Sequence, residues 1–393
     1  MEFKKHKLGE FIDTISETST IKKQQVVLIN TSDVENGKVL NHKYTENKNL
    51  KGQFKKRFRK DDILYSEIRP KNKRFAYVDF DASDYIASTK LMVLRNKGNI
   101  DNTFLYQLLK SNKIINQLQL LAESRSGTFP QITFNELANV EIEIPNIENQ
   151  IKISKILTDI DSKIEINNQT NDNLYEIGKN IYEDLFSKLN ENNSKEYRLE
   201  EILDILKDGT HNPPARIENG VPLITGQTLQ DGFIGYDKMT YISVGDYKKI
   251  HSKYQPQIND LIITKIGTVG KVAILRECDI PITVHCNSAM LRFKKEFLTQ
   301  FYGFWMLMSK DFLTEFNKRI SRTVQDFVSL GKMAEIPIKV PNYEIMKEYD
   351  EVFRTILTKI SHINFENKTL TQLRDTLLPK LMNGEIDLDK IEI

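Results

Sequence analysis

The chain is poor in the residues that build disulfide frameworks and metal sites. Its two cysteines, Cys278 and Cys286, lack C-x-x-C spacing, and its six histidines are scattered along 393 residues. Two cysteines without such spacing in a chain of this size are typical of a reducing compartment. We therefore expect free thiols and no metal site.

Long apolar runs are also missing. No segment approaches the roughly 18 apolar residues that a membrane-spanning helix requires. The N-terminal segment MEFKKHKLGEFIDTIS has basic residues but no continuous apolar region of the kind found in signal peptides. The sequence therefore predicts a soluble cytoplasmic protein with no membrane partner.

An excess of one charge is absent as well. Lys and Arg number 56 against 54 Asp and Glu, which gives a formal net charge of +2. Such a balance does not itself indicate a nucleic-acid partner, although an average can hide a concentrated patch. The length and the 39% apolar fraction are ordinary for a globular protein of two or three domains.

Motifs of catalysis are incomplete. The segment GTVGK at Gly267 lacks P-loop spacing, and Val272 follows it where a hydroxyl would hold magnesium. The segment NPPA at Asn212 lacks the aromatic residue that stacks on a flipped base in adenine methyltransferases. The E-x-K segments at Glu46 and Glu366 lie in polar surroundings, whereas a metal-dependent nuclease needs its ligands at the end of an apolar strand. We expect a non-catalytic chain with no cofactor of its own.

What the sequence does contain is an internal repeat. SRSGTFPQITFNELANVEIEIP begins at Ser124, and the similar SRTVQDFVSLGKMAEIPIKVP begins at Ser321. DILYSEIRPKNKRF from Asp62 matches DLIITKIGTVGKVA from Asp260, and the order of the matches is the same in both halves. The chain is therefore predicted to be a tandem duplication in which each copy folds as its own domain.

Each copy is predicted to end in a long helix. Apolar residues recur every three or four positions at Ile153, Ile156, Ile160, Ile164, Leu174, Ile177, Ile181 and Leu185, and again at Val352, Ile356, Ile360, Ile363, Leu370, Leu373 and Leu377. The residues predicted to form a seam between the two helices are Ile160, Ile164, Asn171, Leu174, Ile181, Ile356, Ile360, Asn367, Leu370 and Leu377.

Two alternatives to this seam stay open. Each apolar stripe could instead pack on its own domain, although a helix of about 40 residues would be roughly 60 Å long and would project from a small domain. Asn171 and Asn367 could fix the register of the helix pair, or they could face solvent.

The helical segments resemble a known family. EIPNIENQIKISKILTDIDSKI (Glu143 to Ile164) is similar to the start of the central helix of type I restriction-modification specificity subunits, and LRDTLLPKLMNGEI (from Leu373) to their C-terminal tail. DGTHNPP from Asp208 resembles the opening of one of their target recognition domains. The resemblance covers essentially the whole chain, but Met346 stands in the second helix where Gln150 stands in the first.

Residues and resemblance together predict an α+β fold. Two globular α/β target recognition domains, residues 1–145 and 191–341, are separated by two long antiparallel helices that form a coiled coil, at 146–190 and in the C-terminal segment 342–393. The two halves form a pseudo-two-fold internal repeat.

The resemblance also implies a function and partners. Each recognition domain would read one half of a split sequence in double-stranded DNA, and the helices would set the unread gap between the halves. Two methyltransferase (modification) subunits and the restriction subunits would assemble on the chain. S-adenosylmethionine, ATP and Mg would bind to those partners rather than to this chain.

A basic stretch marks the predicted DNA-binding surface of the first copy. Ten Lys or Arg lie between Lys51 and Arg74 against three acidic residues, a density that can neutralise phosphates, although a solvated charged surface is the alternative. We predict phosphate contacts from Lys55, Lys56, Arg57 and Arg59. Residues nearer the groove are predicted to be Arg69, Lys71, Lys73 and Arg74.

Further DNA contacts are predicted in loops of both copies. They are the base-reading candidates Arg125, Ser126, Thr128, Gln131, Arg322, Thr323 and Gln325, and the less basic set Thr210, His211, Lys265, Gly267, Thr268 and Lys271. Arg favours guanine and Gln favours adenine, so these residue types are suited to reading base edges. His211 either contacts DNA or stabilises a turn. A scaffold protein that does not read DNA, the specificity module of a related methyltransferase system and a fused methyltransferase or nuclease are the competing hypotheses.

Overall fold

The computed structural model describes residues 2–35, 37–48, 50, 52–125, 130–211, 214–230, 232–236, 239–322, 325–386 and 388. Helices and strands are mixed throughout, and the chain divides into two compact units. Unit 1 comprises Met1–Glu165 and Lys368–Ile393, and unit 2 comprises Ile166–Asn367. The prediction treated the long helices as separate segments, whereas each unit includes part of both.

Unit 1 carries twelve strands among its described residues. They are β1 (Lys4–Lys7), β2 (Ile12–Ile15), β3 (Gln25–Ile29), β4 (Val34–Glu35), β5 (Lys38–Val39), β6 (Tyr44–Glu46), β7 (Phe54–Arg57), β8 (Ile63–Ser66), β9 (Phe75–Tyr77), β10 (Tyr85–Ser88), β11 (Leu91–Asn96) and β12 (Glu141–Ile144). The helices are α1 (Asn102–Leu109), α2 (Asn112–Arg125), α3 (Phe134–Ala138) and the first part of α4 (Ile147–Ser187).

The main sheet of unit 1 has the antiparallel order β2-β11-β8-β9. The sequence ILYS of β8 is buried at all four positions, as expected for a short apolar run inside a core. Arg95 of β11 makes two 2.8 Å hydrogen bonds to the buried carboxylate of Asp62, which fixes the start of β8. A second sheet, β6-β3-β10-β7, ends in the basic strand β7.

The core of unit 1 includes both long helices. Ile153 and Leu157 of α4 and Leu381 of the C-terminal helix pack with α1 and α2 in one cluster. Helix α1 begins at the N-cap Asp101, whose carboxylate accepts from Phe104 N at 2.7 Å. Gln150 near the start of α4 is buried and joins α1 to this helix, since its Oε1 accepts from the backbone of Asp101 at 2.9 Å.

Unit 2 has a similar series of elements. Its described strands are β13 (Ser194–Arg198), β14 (Leu203–Asp208), β15 (Val221–Ile224), β16 (Leu229–Gln230), β17 (Phe233–Ile234), β18 (Thr240–Ile242), β19 (Leu261–Thr264), β20 (Val272–Ile274), β21 (Thr283–Val284), β22 (Ser288–Phe293), β23 (Ser321–Arg322), β24 (Asp326–Phe327) and β25 (Pro337–Pro341). The helices are α5 (Val244–Ile250), α6 (Gln300–Met308), α7 (Lys310–Lys318) and α8 (Leu330–Ala334), with the second part of α4. The C-terminal helix α9 (Tyr343–Met382) begins in unit 2, and its residues from Lys368 onward belong to unit 1.

The main sheet of unit 2 has the order β14-β22-β19-β20. This order matches β2-β11-β8-β9 strand for strand. Arg292 of β22 binds the buried Asp260 at 2.6 and 2.8 Å, as Arg95 binds Asp62 in unit 1. The pair β13-β25 likewise corresponds to β1-β12. The same frame therefore holds the loops of both units.

Polar side chains join the two long helices inside unit 2. Asn167 Nδ2 donates to Glu366 Oε2 at 2.8 Å, and Asn171 Nδ2 donates to Asn364 Oδ1 at 2.8 Å. Residue numbers rise along α4 as they fall along α9, so these parts of the helices are antiparallel. Asn171 is only 6% exposed, which rules out the alternative that it faces solvent.

The predicted seam is not separate from the domain cores. Ile356 and Ile360 are buried in the core of unit 2, where Leu174 and Ile181 pack against the same cluster. Leu377 packs on the core of unit 1. The half-buried members are Ile160, Ile164, Leu174, Ile181, Asn367, Leu370 and Leu377.

Three residues of the predicted apolar stripes are exposed. Ile177, Val352 and Leu373 are 49%, 41% and 45% exposed. Helix α4 packs closely on the domain of unit 2 next to Ile177, because a Cβ at Gly178 would lie 2.3 Å from Trp305 Cζ2. The face of the helix that is buried there is therefore set by the domain as well as by the other helix. The alternative in which each stripe packs on its own domain therefore accounts for much of the burial, alongside the contacts between the helices.

Candidate nucleic-acid interface

The basic loop of unit 1 follows strand β8 and is held in a defined conformation. Arg69 and Lys73 have positive φ angles of 46° and 52° on either side of a 3-10 turn at Pro70–Asn72. The left-handed region costs an L-residue roughly 1 kcal/mol, so the surrounding contacts must impose this shape. Lys71 N donates to Gln119 Oε1 of α2 at 3.1 Å.

This loop meets the second predicted reading segment of unit 1. Arg69 N donates to Pro130 O at 3.1 Å, and Ile132 N donates to Glu67 O at 2.9 Å. An antiparallel bridge links Ile68 to Gln131. The structure therefore brings the basic loop and Gln131 together. Arg125 is the last residue of α2, while Ser126 and Thr128 lie outside the described residues.

Most basic side chains of this surface are exposed. They are Lys55, Arg57, Arg59, Arg69, Lys71 and Lys73. Arg74 is half-buried and its Nη1 lies 3.4 Å from Thr31 Oγ1. Lys55 and Arg57 lie on the exposed side of β7, which is at the edge of its sheet.

Lys56 differs from the prediction. Its side chain is 15% exposed, and its Nζ donates to Leu91 O at 2.8 Å and lies 3.8 Å from Glu67 Oε1. Burial lowers the pKa of Lys56, while the nearby Glu67 acts in the opposite direction. Because successive residues of a strand alternate between its faces, Lys56 points inward while its neighbours point to solvent. Lys56 is therefore a structural residue rather than a phosphate contact.

Two predicted segments also converge in unit 2. Gly267 N donates to Asp326 O at 3.0 Å, and Val328 N donates to Lys265 O at 2.9 Å. Gly267 has a φ of +81°, a conformation that favours glycine. Gly267, Thr268, Arg322 and Gln325 are exposed, whereas Thr323 lies outside the described residues.

Lys265 also differs from the prediction that it contacts DNA. Its side chain is 7% exposed and its Nζ forms a 3.0 Å ion pair with Asp208 Oδ1. The other carboxylate oxygen lies 3.4 Å from Nε2 of the exposed His211, so Asp208 holds both groups. Lys271 is half-buried, with its Nζ 3.5 Å from Leu229 O. Lys265 is therefore directed inward, whereas the partly exposed Lys271 stays a predicted DNA contact.

Comparison with known proteins decides the family. The model described as "Type I restriction modification DNA specificity domain" matches this chain twice, over residues 1–176 and 191–374. This chain belongs to that family. Two DNA specificity domains thus follow one another along the chain, and each match includes the converging loops of one unit.

Individual relatives agree with this assignment. The HindI type I restriction enzyme specificity subunit of Haemophilus influenzae is 28% identical, over 98% of this chain and 100% of that protein. The MjaVIII specificity subunit of Methanocaldococcus jannaschii is 23% identical, over 77% of this chain and 74% of that protein. The S subunit of a type I restriction-modification system from M. genitalium has the same fold, with a TM-score of 0.56, 19% identity and coverage of 97% and 96%.

His285 lies beside the predicted contact Thr210 and was not among the predicted residues. His285 is bridged to Thr210 in the backbone, and its Nδ1 lies 3.3 Å from the donor Asn287 N. Burial, with Arg216 and His211 nearby, lowers the pKa of His285 and favours the neutral ring. Because Nδ1 accepts, the proton resides on Nε2. A lone histidine gives no signal in the sequence, and only the bridge to Thr210 reveals its position.

Lys90 was not among the predicted residues either. Its Nζ lies 3.2 Å from Gln131 Oε1 and 3.7 Å from Glu67 Oε2. In the sequence it belongs to STKLM, which resembles the start of a strand. The described residues contain no cluster of three or more His, Cys, Asp or Glu that could hold a metal ion. No helix among them is long and apolar enough to cross a membrane.

Proposed function

We propose that this chain reads a split DNA sequence, with one half read by each unit. The observation that carries the proposal is the convergence of two loops on the same frame in both units. Residues 67–74 meet 130–132 in unit 1, and residues 265–271 meet 326–328 in unit 2. Exposed Arg and Lys provide phosphate contacts, while Gln and Thr side chains provide base contacts.

The long helices act as the spacer in this proposal. Helix α4 has 41 residues and α9 has 40. At 1.5 Å per residue, each is about 60 Å long. Half-sites one helical turn apart, roughly 34 Å, lie on the same side of the duplex and within the span of such a helix pair. The helices pair as an antiparallel coiled coil, which makes the spacer rigid.

The catalytic steps belong to partner proteins. Two methyltransferase subunits and the restriction subunits assemble on this chain in the cytoplasm. S-adenosylmethionine, ATP and Mg bind to them. The names of the Haemophilus and Methanocaldococcus relatives, both specificity subunits of type I restriction enzymes, support this division of labour.

Sequencing of methylated DNA tests the proposal. The chain is co-expressed with its methyltransferase partner in a host that lacks other methyltransferases, and modified adenines are mapped. The expected result is one motif of two short half-sites separated by an unread gap. The methyltransferase expressed alone is the control and should modify no motif. A continuous palindrome would count against two separate readers.

Salt dependence distinguishes the reader from a scaffold. A protein that contacts several phosphates loses DNA affinity steeply as salt rises, with a slope of roughly 0.9 per phosphate in a double-logarithmic plot. The double variant Arg57→Ala/Arg59→Ala should lower that slope by about 2. Fluorescence anisotropy with the assembled methyltransferase measures it, and an unchanged slope would remove these two arginines from the phosphate contacts.

A further inference from the structure

Lys90, Gln131 and Glu67 form a connected group on the surface of unit 1. Lys90 Nζ lies 3.2 Å from Gln131 Oε1 and 3.7 Å from Glu67 Oε2. The side chain of Lys90 is 50% exposed and that of Glu67 is 23% exposed. The group therefore reaches solvent at Lys90 and is anchored at Glu67.

The ammonium of Lys90 fixes the orientation of the Gln131 amide. A lysine side chain has three donors and no acceptor, so only the amide oxygen can face it. The NH2 group of Gln131 is consequently turned away from Lys90. A glutamine that reads adenine needs both its oxygen and its NH2 group directed at the base. The amide oxygen of Gln131 is already bound to Lys90, so the side chains of Lys90 and Gln131 both present hydrogen-bond donors to a base.

Both the side chain and the backbone of Glu67 are held by contacts with other residues. Glu67 Oε1 lies 3.8 Å from Lys56 Nζ, which is itself bound to Leu91 O at 2.8 Å. The backbone of Glu67 accepts from Ile132 N at 2.9 Å, one residue beyond Gln131. The half-buried Lys56, which the sequence suggested as a phosphate contact, thus has a role in positioning Glu67.

We propose that Lys90 and Gln131 form a donor pair that reads guanine in the half-site bound by unit 1, with Glu67 and Lys56 as positioning residues. The inference rests on the proposed function. Guanine presents two acceptors, N7 and O6, at its major-groove edge, which matches two adjacent donors. Adenine presents an N6 donor and cytosine an N4 donor, and both would face the ammonium unfavourably.

Unit 2 differs at the corresponding positions. Val328 N donates to Lys265 O as Ile132 N donates to Glu67 O, and Ile266 bridges Phe327 as Ile68 bridges Gln131. Lys265 therefore corresponds to Glu67, and Phe327 corresponds to Gln131. The Lys90–Gln131 donor pair has no counterpart at Lys265 and Phe327, so a guanine preference that rests on this pair is confined to the half-site bound by unit 1.

Methylation mapping with matched variants tests this inference. The chain is co-expressed with its methyltransferase partner as wild type, Lys90→Met, Lys90→Arg and Gln131→Glu, and Lys5→Met controls for the loss of a surface charge. The wild-type motif should contain a guanine that Lys90→Met and Gln131→Glu no longer select, with discrimination reduced about tenfold or more. Lys90→Arg keeps the donors and should retain the guanine. Lys5→Met should match the wild type, and the other half-site should not change.

The outcomes separate the inference from the proposed function. If the wild type gives a split motif but Lys90→Met and Gln131→Glu leave it unchanged, the inference is wrong and the proposed function stands. A loss spread evenly over all positions would make Lys90 a phosphate contact and would equally overturn the inference. A wild-type complex that modifies no motif would contradict both. Gln131→Glu keeps the size of the side chain, so a folding defect in Lys90→Met alone would not prevent the decision.

Discussion

At the scale of single residues, a half-buried carboxylate connects three elements of unit 1. Asp161 of α4 accepts from Lys110 Nζ at 2.5 Å, from Gln107 Nε2 at 3.2 Å and from Arg374 Nη1 at 3.0 Å. Burial raises the pKa of Asp161, but the two cations and the amide outweigh it, so the net direction is downward. The carboxylate is therefore charged and paired.

Replacing Asp161 is expected to destabilise unit 1. Asp161→Asn leaves Lys110, which is 13% exposed, without its counter-charge, and loss of one partner of such a pair costs about 3 kcal/mol. Urea unfolding measures the change, with the exposed Asp159→Asn on the same helix as the control. A loss no greater than that of the control would show that the cluster is not stabilising.

The half-buried Tyr254 predicts a loss of stability in alkali. Burial, assisted by Asp260, raises the pKa of Tyr254 to about 12. Because the folded pKa lies above the unfolded value of about 10, the contribution is complete below pH 10 and is lost as pH rises toward 12. The free energy of unfolding, measured in urea, should therefore fall by about 1 kcal/mol between pH 10 and 11 for this group.

The variant Tyr254→Phe cannot ionise and should lose less stability than the wild type over the same pH interval. Tyr343→Phe, at an exposed position, controls for removal of a hydroxyl. Equal losses for Tyr254→Phe and the wild type would contradict the assignment.

The exposure of charged residues followed from their type, whereas contacts with distant partners did not. The exposed Arg57, Arg69 and Lys73 could be recognised from the basic stretch. The inward direction of Lys56 follows from strand alternation only once the register of β7 is known. The partners of Asp161 are 51 and 213 residues away along the chain, so no local pattern could reveal them.

At the scale of elements, asparagines form paired contacts between the helices in unit 2. Asn171 Nδ2 donates to Asn364 Oδ1 at 2.8 Å, and Asn367 Nδ2 donates to Asn168 Oδ1 at 2.9 Å. A shift of 196 residues turns one pair into the other, since Asn171 corresponds to Asn367 and Asn168 to Asn364. A polar pair on a helix interface specifies register at some cost in stability.

The asparagine pair predicts a non-additive pair of substitutions. Asn171→Leu leaves the Asn364 amide without this partner and should cost about 1 kcal/mol. Asn171→Leu/Asn364→Leu replaces both partners and should recover that loss or exceed wild-type stability. Thermal unfolding measures both, with the exposed Asn173→Leu as the control. A double variant as unstable as the sum of its singles would show that the two residues do not interact.

The elements were easier to predict than their packing. Helix α4 was predicted at 146–190 and lies at Ile147–Ser187, because a three-four spacing that recurs between Ile153 and Leu185 has few other interpretations. The sequence does not distinguish apolar residues that face the other helix from those that face the domain. Trp305 and Gly178 determine that division, and their proximity is a tertiary property.

At the scale of the whole molecule, the duplication explains the organisation of the sequence. Two copies of one frame carry loops of different chemistry, such as Gln131 in unit 1 and Phe327 in unit 2. A common frame with different reading residues is suited to recognition of two unlike half-sites. The sequence revealed the duplication because its segments recur in the same order, but it revealed neither the repeated ion pairs nor which loop side chains turn inward.

The central claim is that the helix pair sets the distance between two readers, and lengthening both helices tests it most directly. Four residues inserted after Asn168 and four after the facing Glu366 add about 6 Å, close to two base pairs of DNA. Methylation mapping of this variant should give the same two half-sites with a gap longer by one or two base pairs. The same half-sites with an unchanged gap would show that the helices are not the spacer.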